Sequence, residues 1–141
     1  MRRPLLRLAL LLAAAGVIYA YSTWPRLNDV ETGKTPEYPD LQPHDYQAGL
    51  DSVARSVKTV LGRLRGWELV GEGKGPVGVQ IHAVRTTRVF RFKDDVTIRI
   101  RPQGGQTRVS VRSKSRLGNA DFGQNARNIR ELLEALDREV R

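Results

Sequence analysis

The sequence contains no cysteine and only two histidines, His44 and His82. The absence of cysteine excludes disulfides, thiol catalysis, cysteine-ligated zinc and a lipid anchor attached to a cysteine. Two histidines are too few for a usual histidine-based metal site. We therefore predict neither a metal nor another cofactor. His82 has no serine or aspartate at motif spacing, and we interpret it as an ordinary strand residue.

Acidic residues are scarce in one part of the chain. The 141 residues carry 24 Lys and Arg against 15 Asp and Glu, a net charge of +9. Residues 85–130 alone hold twelve basic and three acidic side chains, while residues 27–84 and 131–141 each sum to −2. Such a block attracts anions, although an arginine-rich, solvated sheet face has the same composition. A chain of this length is expected to form one domain.

The N-terminus holds the one long uncharged run. Three arginines within the first seven positions precede seventeen uncharged residues, Leu8 to Trp24. This length is at the short end of what a bilayer core of about 30 Å requires, and Tyr19, Tyr21 and Trp24 would form an aromatic belt at the far interface. We predict a transmembrane anchor over residues 1–24 in a single-pass inner-membrane protein. Its lipid-embedded helix would leave the N-terminus in the cytoplasm and the rest outside, in the periplasm or cell exterior.

A cleaved signal peptide is the alternative interpretation. Ala13 to Ala15 come too early for a normal apolar region, and a cut after Ala20 would put Ile18 where a small residue is needed. We favour the uncleaved anchor. Both interpretations place the domain outside the cytoplasm.

Residues 25–44 are rich in proline, with four prolines in twenty positions. This density favours an extended linker, which would either hold the domain away from the membrane or wrap along its surface. The remaining residues, 45–141, are predicted to form an α+β domain.

Hydrophobic periodicity predicts the elements of that domain. A first helix would begin at a cap by Asp45 and end at Gly66, and a strand follows from Trp67. Residues 78–92 read as a strand whose register changes, so we expect a bulge or kink near Arg85 to Arg88. We assign Trp67 and the two phenylalanines of "FRF" to the core, and "FKDDV" to a hairpin turn.

Two further strands alternate apolar and polar residues, and a helix ends the chain. The order α-β-β-β-β-α predicts a two-layer α+β sandwich, with a four-stranded antiparallel sheet and both helices on one face. Strand alternation would place four arginines on the exposed face. These are Arg99, Arg101, Arg108 and Arg112.

Three segments carry a family resemblance: "NDVET" at 28–32, "TTRVFRFKDDVTIRIR" at 86–101 and "VRSKSRLGNADFGQNARNIR" at 111–130. With them the chain resembles the bacterial family of domain of unknown function 1499, uncharacterised envelope proteins that also occur in photosynthetic eukaryotes. The resemblance covers essentially everything after the anchor. It implies a compact α/β domain and no established activity. Similar sequences often have an acid where this chain has Ser110.

The third segment is the most site-like, with five basic side chains and one acid. Gly118 permits a turn, and Asp121 is predicted to cap the last helix, with Gln124 completing a capping box. Arg127 lies near the helix start, where the dipole disfavours a cation. We therefore expect Arg127 to have a partner: Asp94 or Asp95, the linker, or a bound anion.

Two interpretations of this segment remain open, an anion-binding cradle and an intramolecular lock. The cradle would consist of the amides that open the last helix and six side chains, Arg112, Ser113, Ser115, Arg116, Asn125 and Arg127. Five residues would support it: Thr86, Thr87, Asp94, Asp95 and Asp121. Neighbouring strand residues point to opposite faces, so Asp94 and Asp95 are poorly placed to act as a carboxylate pair.

These observations favour a non-enzymatic, membrane-anchored binding module outside the cytoplasm. It would act as an accessory subunit with a protein partner in a membrane complex, or bind an anionic envelope ligand. The alternative is an envelope hydrolase that uses Asp95 or Asp121 with stabilisation by arginine. We do not expect nucleic-acid binding, because no stacking aromatics or groove-reading helix accompany the basic residues.

Overall fold

The computed structural model describes residues 2–141, with side chains from residue 4 onward. Its helices are α1 (Arg2–Thr23), α2 (Leu50–Arg63) and α3 (Gln124–Glu139). Its strands are β1 (Asp29–Glu31), β2 (His44–Tyr46), β3 (Trp67–Gly75), β4 (Gly78–Thr86), β5 (Lys93–Gln103) and β6 (Gln106–Ser115).

The sheet is antiparallel and has six strands in the described part of the chain, in the order β1-β6-β5-β4-β3, with β2 also paired to β6. The predicted α+β class is confirmed, but the predicted four strands are wrong. The two additional strands, each of three residues, lie in or next to the proline-rich segment. They cover the edge of β6, whose backbone groups would otherwise be unpaired. Strands this short show too little alternation to be recognised in a sequence.

The proline-rich segment therefore runs along the domain. In the register, Asp29 faces Lys114 and His44 faces Val109, so β1 and β2 follow each other along one edge of β6. Val30 and Leu41 are buried in the core, with 0% and 4% exposure. The segment is thus part of the fold.

Both domain helices pack on one face of the sheet. Alternate residues of β4, β5 and β6 point toward them, as strand geometry requires, and the buried face ends in a polar patch at Ser113. The apolar core side chains include Ile81, Ile98, Ile100, Val109, Val111, Val53, Val57, Leu61, Ile129, Leu132 and Leu136. This face, predicted from the alternation, is confirmed.

The start of α2 differs from the prediction. Asp45 and Tyr46 belong to β2, and the helix begins at Leu50 after Gly49. The predicted cap by Asp45 is wrong, because the edge of β6 takes up this residue and its carboxylate pairs with Arg108. Gly66 lies just past the helix end with a φ of +81°, as expected for a glycine that ends a helix.

The chain between β4 and β5 also differs from the prediction. β4 ends at Thr86, and residues 87–92 form a loop instead of a strand with a kink; the bulge lies in β3, between Leu69 and Gly71. Asp94 and Asp95 are in β5, so the predicted turn at "FKDDV" is wrong. Trp67 is buried as expected.

The assignment of the two phenylalanines to the core is also wrong. Phe90 and Phe92 are 75% and 52% exposed. The reason is that both belong to the loop, which has left the sheet before it reaches them.

α1 is long and apolar enough to cross a membrane, a property that a signal sequence near an N-terminus shares. Its described side chains are exposed.

Candidate functional site

The loop of residues 87–92 and the start of α3 face each other across a cavity. β5 and β6 place them there, because Asp94 pairs with Ser115 and the amide of Arg116 donates to the carbonyl oxygen of Lys93 at 3.1 Å. The two long motifs of the sequence, 86–101 and 111–130, are thereby adjacent in space.

The cavity has a volume of about 760 Å³. Its apolar lining comes from Val89, Phe90, Phe92, Ala120 and Phe122, and its polar lining from Arg85, Thr87, Arg88, Asp121, Gln124, Arg127 and Glu131. A concave site with mainly apolar walls and a few convergent polar groups is the usual form of a ligand site.

The loop holds its aromatic residues outside the core. The Thr87 amide donates to the Phe92 carbonyl oxygen at 2.8 Å, and the Phe92 amide donates to Thr87 Oγ1 at 2.9 Å. Arg91 has a φ of 57°, a conformation that is uncommon for a residue with a side chain. The rings of Phe90 and Phe92 stack at 5.5 Å. Large apolar side chains exposed together mark an interaction surface more often than chance.

Arg85 and Arg127 both line the cavity, but only Arg85 is paired with an acid among the described residues. Arg85 is buried and pairs with Glu131 at 3.3 Å. Arg127 is exposed and donates only to neutral acceptors in the described chain, the Phe122 carbonyl oxygen at 2.9 Å and Gln124 Oε1 at 3.1 Å. The partners expected from the sequence, Asp94, Asp95 and the linker, do not reach it. Arg127 therefore has no ion-pair partner in the described chain, and the two acids that line the same cavity, Asp121 and Glu131, are bound by other groups.

The N-cap residue of α3 is Gly123, so the predicted N-cap position of Asp121 is wrong. The Asp121 carboxylate nevertheless holds the start of the helix, because it accepts hydrogen bonds from the Gly123 amide at 2.9 Å and the Asn125 amide at 2.7 Å, the second of which is a donor that a helix start leaves free. The predicted capping box is wrong, because Gln124 donates to Asn128 Oδ1 at 2.7 Å instead of turning back.

A buried polar network is linked to the cavity lining by the hydrogen bond from Gln124 to Asn128. Asn128 donates to Asp94 Oδ2 at 2.8 Å and to Ser113 Oγ at 3.1 Å, and Ser113 donates to Asn125 Oδ1 at 2.6 Å. Asn125 in turn donates to Ser115 Oγ at 2.8 Å. Burial raises the pKa of the Asp94 carboxyl, although the Asn128 hydrogen bond opposes this. The network joins α3 to the polar end of the sheet.

The structure does not bring the six predicted cradle residues together. Arg112 donates to both oxygens of Asp29 on the outer face of the sheet, and Arg116 pairs with Asp95 at 2.7 Å. These guanidinium groups hold the pKa of both carboxyls below their usual range. Ser113, Ser115 and Asn125 belong to the buried network, and only Arg127 lines the cavity. Ligand binding by the others stays a prediction.

Of the supporting residues, Thr87 and Asp121 line the cavity. The Thr86 amide donates to the Gly66 carbonyl oxygen at 2.8 Å, which is a role in the fold. Asp94 and Asp95 point to opposite sides, one 2% exposed and the other on the surface.

Most arginines of the outer sheet face are paired with acids from the segment between α1 and α2. Arg99 pairs with Glu31 at 2.9 Å and Arg108 with Asp45 at 2.7 Å, in addition to the pair of Arg112 with Asp29. Each pair offsets one positive charge of this face; only Arg112 belongs to the segment for which the intramolecular lock was predicted, and the lock stays a prediction. Among the described residues there is also no group of His, Asp and Glu able to hold a metal.

Sequence reasoning missed the residues that form most of the cavity lining. The sequence pattern predicts Phe90 and Phe92 in the core and gives no indication that Arg88, Phe122 and Glu131 line a site. One signal was present: a run with Val89, Phe90 and Phe92 between exposed basic residues does not fit one buried strand face.

A family model described as a protein of unknown function (DUF1499) matches residues 21–136. Among solved structures, the crystal structure of TTHA0849 from Thermus thermophilus is similar with a TM-score of 0.41 and 16% identity, covering 79% of this chain and 96% of that chain. The comparison with curated proteins finds no match.

Proposed function

Since the chain belongs to the DUF1499 family of proteins of unknown function, we propose a function from its site: a membrane-anchored binding module outside the cytoplasm whose cavity takes an anionic ligand with an apolar part. The observation that carries this proposal is the cavity between residues 87–92 and the start of α3. It combines phenylalanine walls with an arginine, Arg127, that has no acidic partner in the described chain.

The ligand class follows from the lining. The aromatic rings favour an apolar group, because burying apolar surface is the main source of binding energy. Arg127 favours an anion such as a phosphate or carboxylate, since hydrogen bonds between charged partners are the strong ones. The acids at the cavity are already engaged, Asp121 by two amides and Glu131 by Arg85.

The proposed location rests on the N-terminal segment. The span Pro4–Thr23 has the length and composition of a membrane span, and the arginines before it favour a cytoplasmic N-terminus. The domain would then lie in the periplasm or at the cell exterior.

The hydrolase alternative gains no support from the geometry. The Asp95 carboxylate is held by Arg116 and that of Asp121 by backbone amides. Neither is hydrogen-bonded to a serine, threonine or histidine in the described chain, which is the arrangement by which a carboxylate would activate a nucleophile.

The test uses full-length protein purified in a mild detergent from membranes that contain phosphatidylglycerol and phosphatidylcholine. Native mass spectrometry would measure the ratio of the two lipids that remain bound. We expect the wild type to retain the anionic lipid preferentially. Arg127→Gln should reduce that preference by about tenfold or more, the loss expected for a charge-assisted hydrogen bond.

The matched control is Arg130→Gln. Arg130 lies three residues further along α3, pairs with Asp40 at 2.7 Å and is outside the cavity, so this variant should keep the wild-type preference. Equal lipid ratios for the wild type and Arg127→Gln would contradict the proposed site. A stoichiometric protein in place of the lipid would favour the accessory-subunit alternative.

A further inference from the structure

The domain exposes an apolar tip at one end. Val89, Phe90 and Phe92 of the loop are 81%, 75% and 52% exposed, and the nearby Leu117 is 72% exposed. Side chains of this kind are costly to leave in water, since covering each one fully is worth roughly 1.5–3 kcal/mol. The question is what covers them.

A short tether places this end next to α1. The Asp121 amide donates to the Leu27 carbonyl oxygen at 3.0 Å, and the Ser115 amide donates to the Asn28 carbonyl oxygen at 2.8 Å. α1 ends at Thr23. The four residue steps from Thr23 to Leu27 span at most about 14 Å even when fully extended. The start of α3 therefore cannot move far from the end of α1.

Side-chain contacts make the two parts continuous. The rings of Tyr21 and Phe122 lie 5.7 Å apart, and the Trp24 ring covers Gly123 so closely that an added Cβ would meet it at 3.1 Å. Phe122 in turn lines the cavity together with Phe90 and Phe92. The apolar tip is thus an extension of the aromatic end of α1.

Basic side chains surround the tip. Arg26, Arg88, Arg91 and Lys93 are exposed, and none has an ion pair in the described chain. An apolar tip with cations around it suits the interface of a bilayer, because the apolar groups enter the acyl boundary and the cations meet anionic headgroups.

We propose that the loop of residues 87–92, with Phe122, docks into the outer surface of the bilayer that holds α1. The cavity then opens toward the lipid headgroups. This inference rests on the part of the proposed function that makes α1 a membrane span, and it does not require the cavity to bind a ligand.

The absence of cysteine permits a direct test. Single-cysteine variants of the full-length protein carry a nitroxide label in nanodiscs of mixed phosphatidylglycerol and phosphatidylcholine. Collisions with oxygen, which concentrates in lipid, are compared with collisions with a water-soluble nickel complex. We expect Val89→Cys to favour oxygen, as Leu11→Cys in α1 should.

The matched control is Val77→Cys. Val77 is also a highly exposed valine, 65%, and it lies at the opposite end of β4, a strand about 26 Å long. Its label should favour the nickel complex. Val89→Cys and Val77→Cys each replace a side chain that makes few contacts, so both should fold.

Three results would overturn the docking. If Val89→Cys favours nickel while Leu11→Cys favours oxygen, the anchor stands and the loop is in water. If neither reagent reaches the Val89 label, a protein or a second copy of the chain covers the tip. If the Leu11 label favours nickel, the membrane span of the proposed function fails, and the docking fails with it.

Discussion

Asn128 on α3 donates a 2.8 Å hydrogen bond to the buried carboxylate of Asp94 on β5. The same amide group reaches Ser113 on β6, so one side chain joins the helix to two strands. Within the described residues, every buried side-chain nitrogen or oxygen has a partner. The polar residues in the two family motifs thus hold α3 against β5 and β6, the elements that position the cavity.

The first prediction concerns Asp94. Burial raises the pKa of this carboxyl above its unfolded value, so the folded state holds its proton more tightly. The contribution of Asp94 to the free energy of unfolding is therefore fully present below its pKa in the unfolded chain, and it is lost as the pH rises through its pKa in the folded protein. Asp94→Asn stays neutral throughout. We expect wild type to gain free energy of unfolding relative to Asp94→Asn when the pH falls from about 7 to about 3.5. Urea denaturation of both proteins would measure this, and a difference independent of pH would contradict it.

The second prediction concerns the ion pair between Asp29 and Arg112. Both side chains are about one third exposed, so water screens the pair, and we expect a coupling of only about 0.5–1 kcal/mol. A double-mutant cycle of Asp29→Asn and Arg112→Gln measures it. The pKa of Asp29 is lowered by Arg112, so the coupling should vanish as the pH falls through that pKa and the carboxyl is protonated. Arg101→Gln, on an exposed arginine of the same face, should show no coupling with Asp29→Asn.

The third prediction concerns the start of α3. Asp121→Ala removes acceptors from the Gly123 and Asn125 amides and should lower the free energy of unfolding by about 1–2 kcal/mol. Asp121→Asn keeps one acceptor oxygen and should cost less. Thermal unfolding followed by circular dichroism measures both variants. Equal stability of wild type and Asp121→Ala would show that the carboxylate is not needed for the helix.

The fourth prediction separates the exposed loop from the core. Phe90 contributes little buried surface, so Phe90→Ser in detergent should change the free energy of unfolding by no more than about 0.5 kcal/mol. Ile129 is fully buried, and Ile129→Ala should cost about 2–5 kcal/mol. Urea denaturation gives both values. If Phe90→Ser lowers the free energy of unfolding as much as Ile129→Ala does, Phe90 is buried and the exposed position of the loop is wrong.

Some features of the candidate site could be predicted from neighbouring residues in the sequence, whereas others depend on contacts between residues far apart in the chain. The role of Asp121 at the start of a helix could be predicted from the sequence, because its side chain bonds to amides only two and four residues further along the chain. The partner of Arg112 was not, since Asp29 lies 83 residues away. The prediction that Phe90 and Phe92 are buried is wrong because the sequence pattern does not show where the chain leaves the sheet, and a strand and a loop can have the same composition.

By itself the sequence determined the α+β class, the buried face of β5 and β6, the apolar N-terminal helix and the lack of thiol chemistry. These follow from periodicity and composition, which act over a few residues. Only the tertiary structure decided that a proline-rich segment adds two strands, that its acids pair with the arginines of the sheet, and that Arg127 faces an aromatic cavity. Such contacts join residues far apart in the chain, and their partners are chosen by packing, which no local pattern encodes.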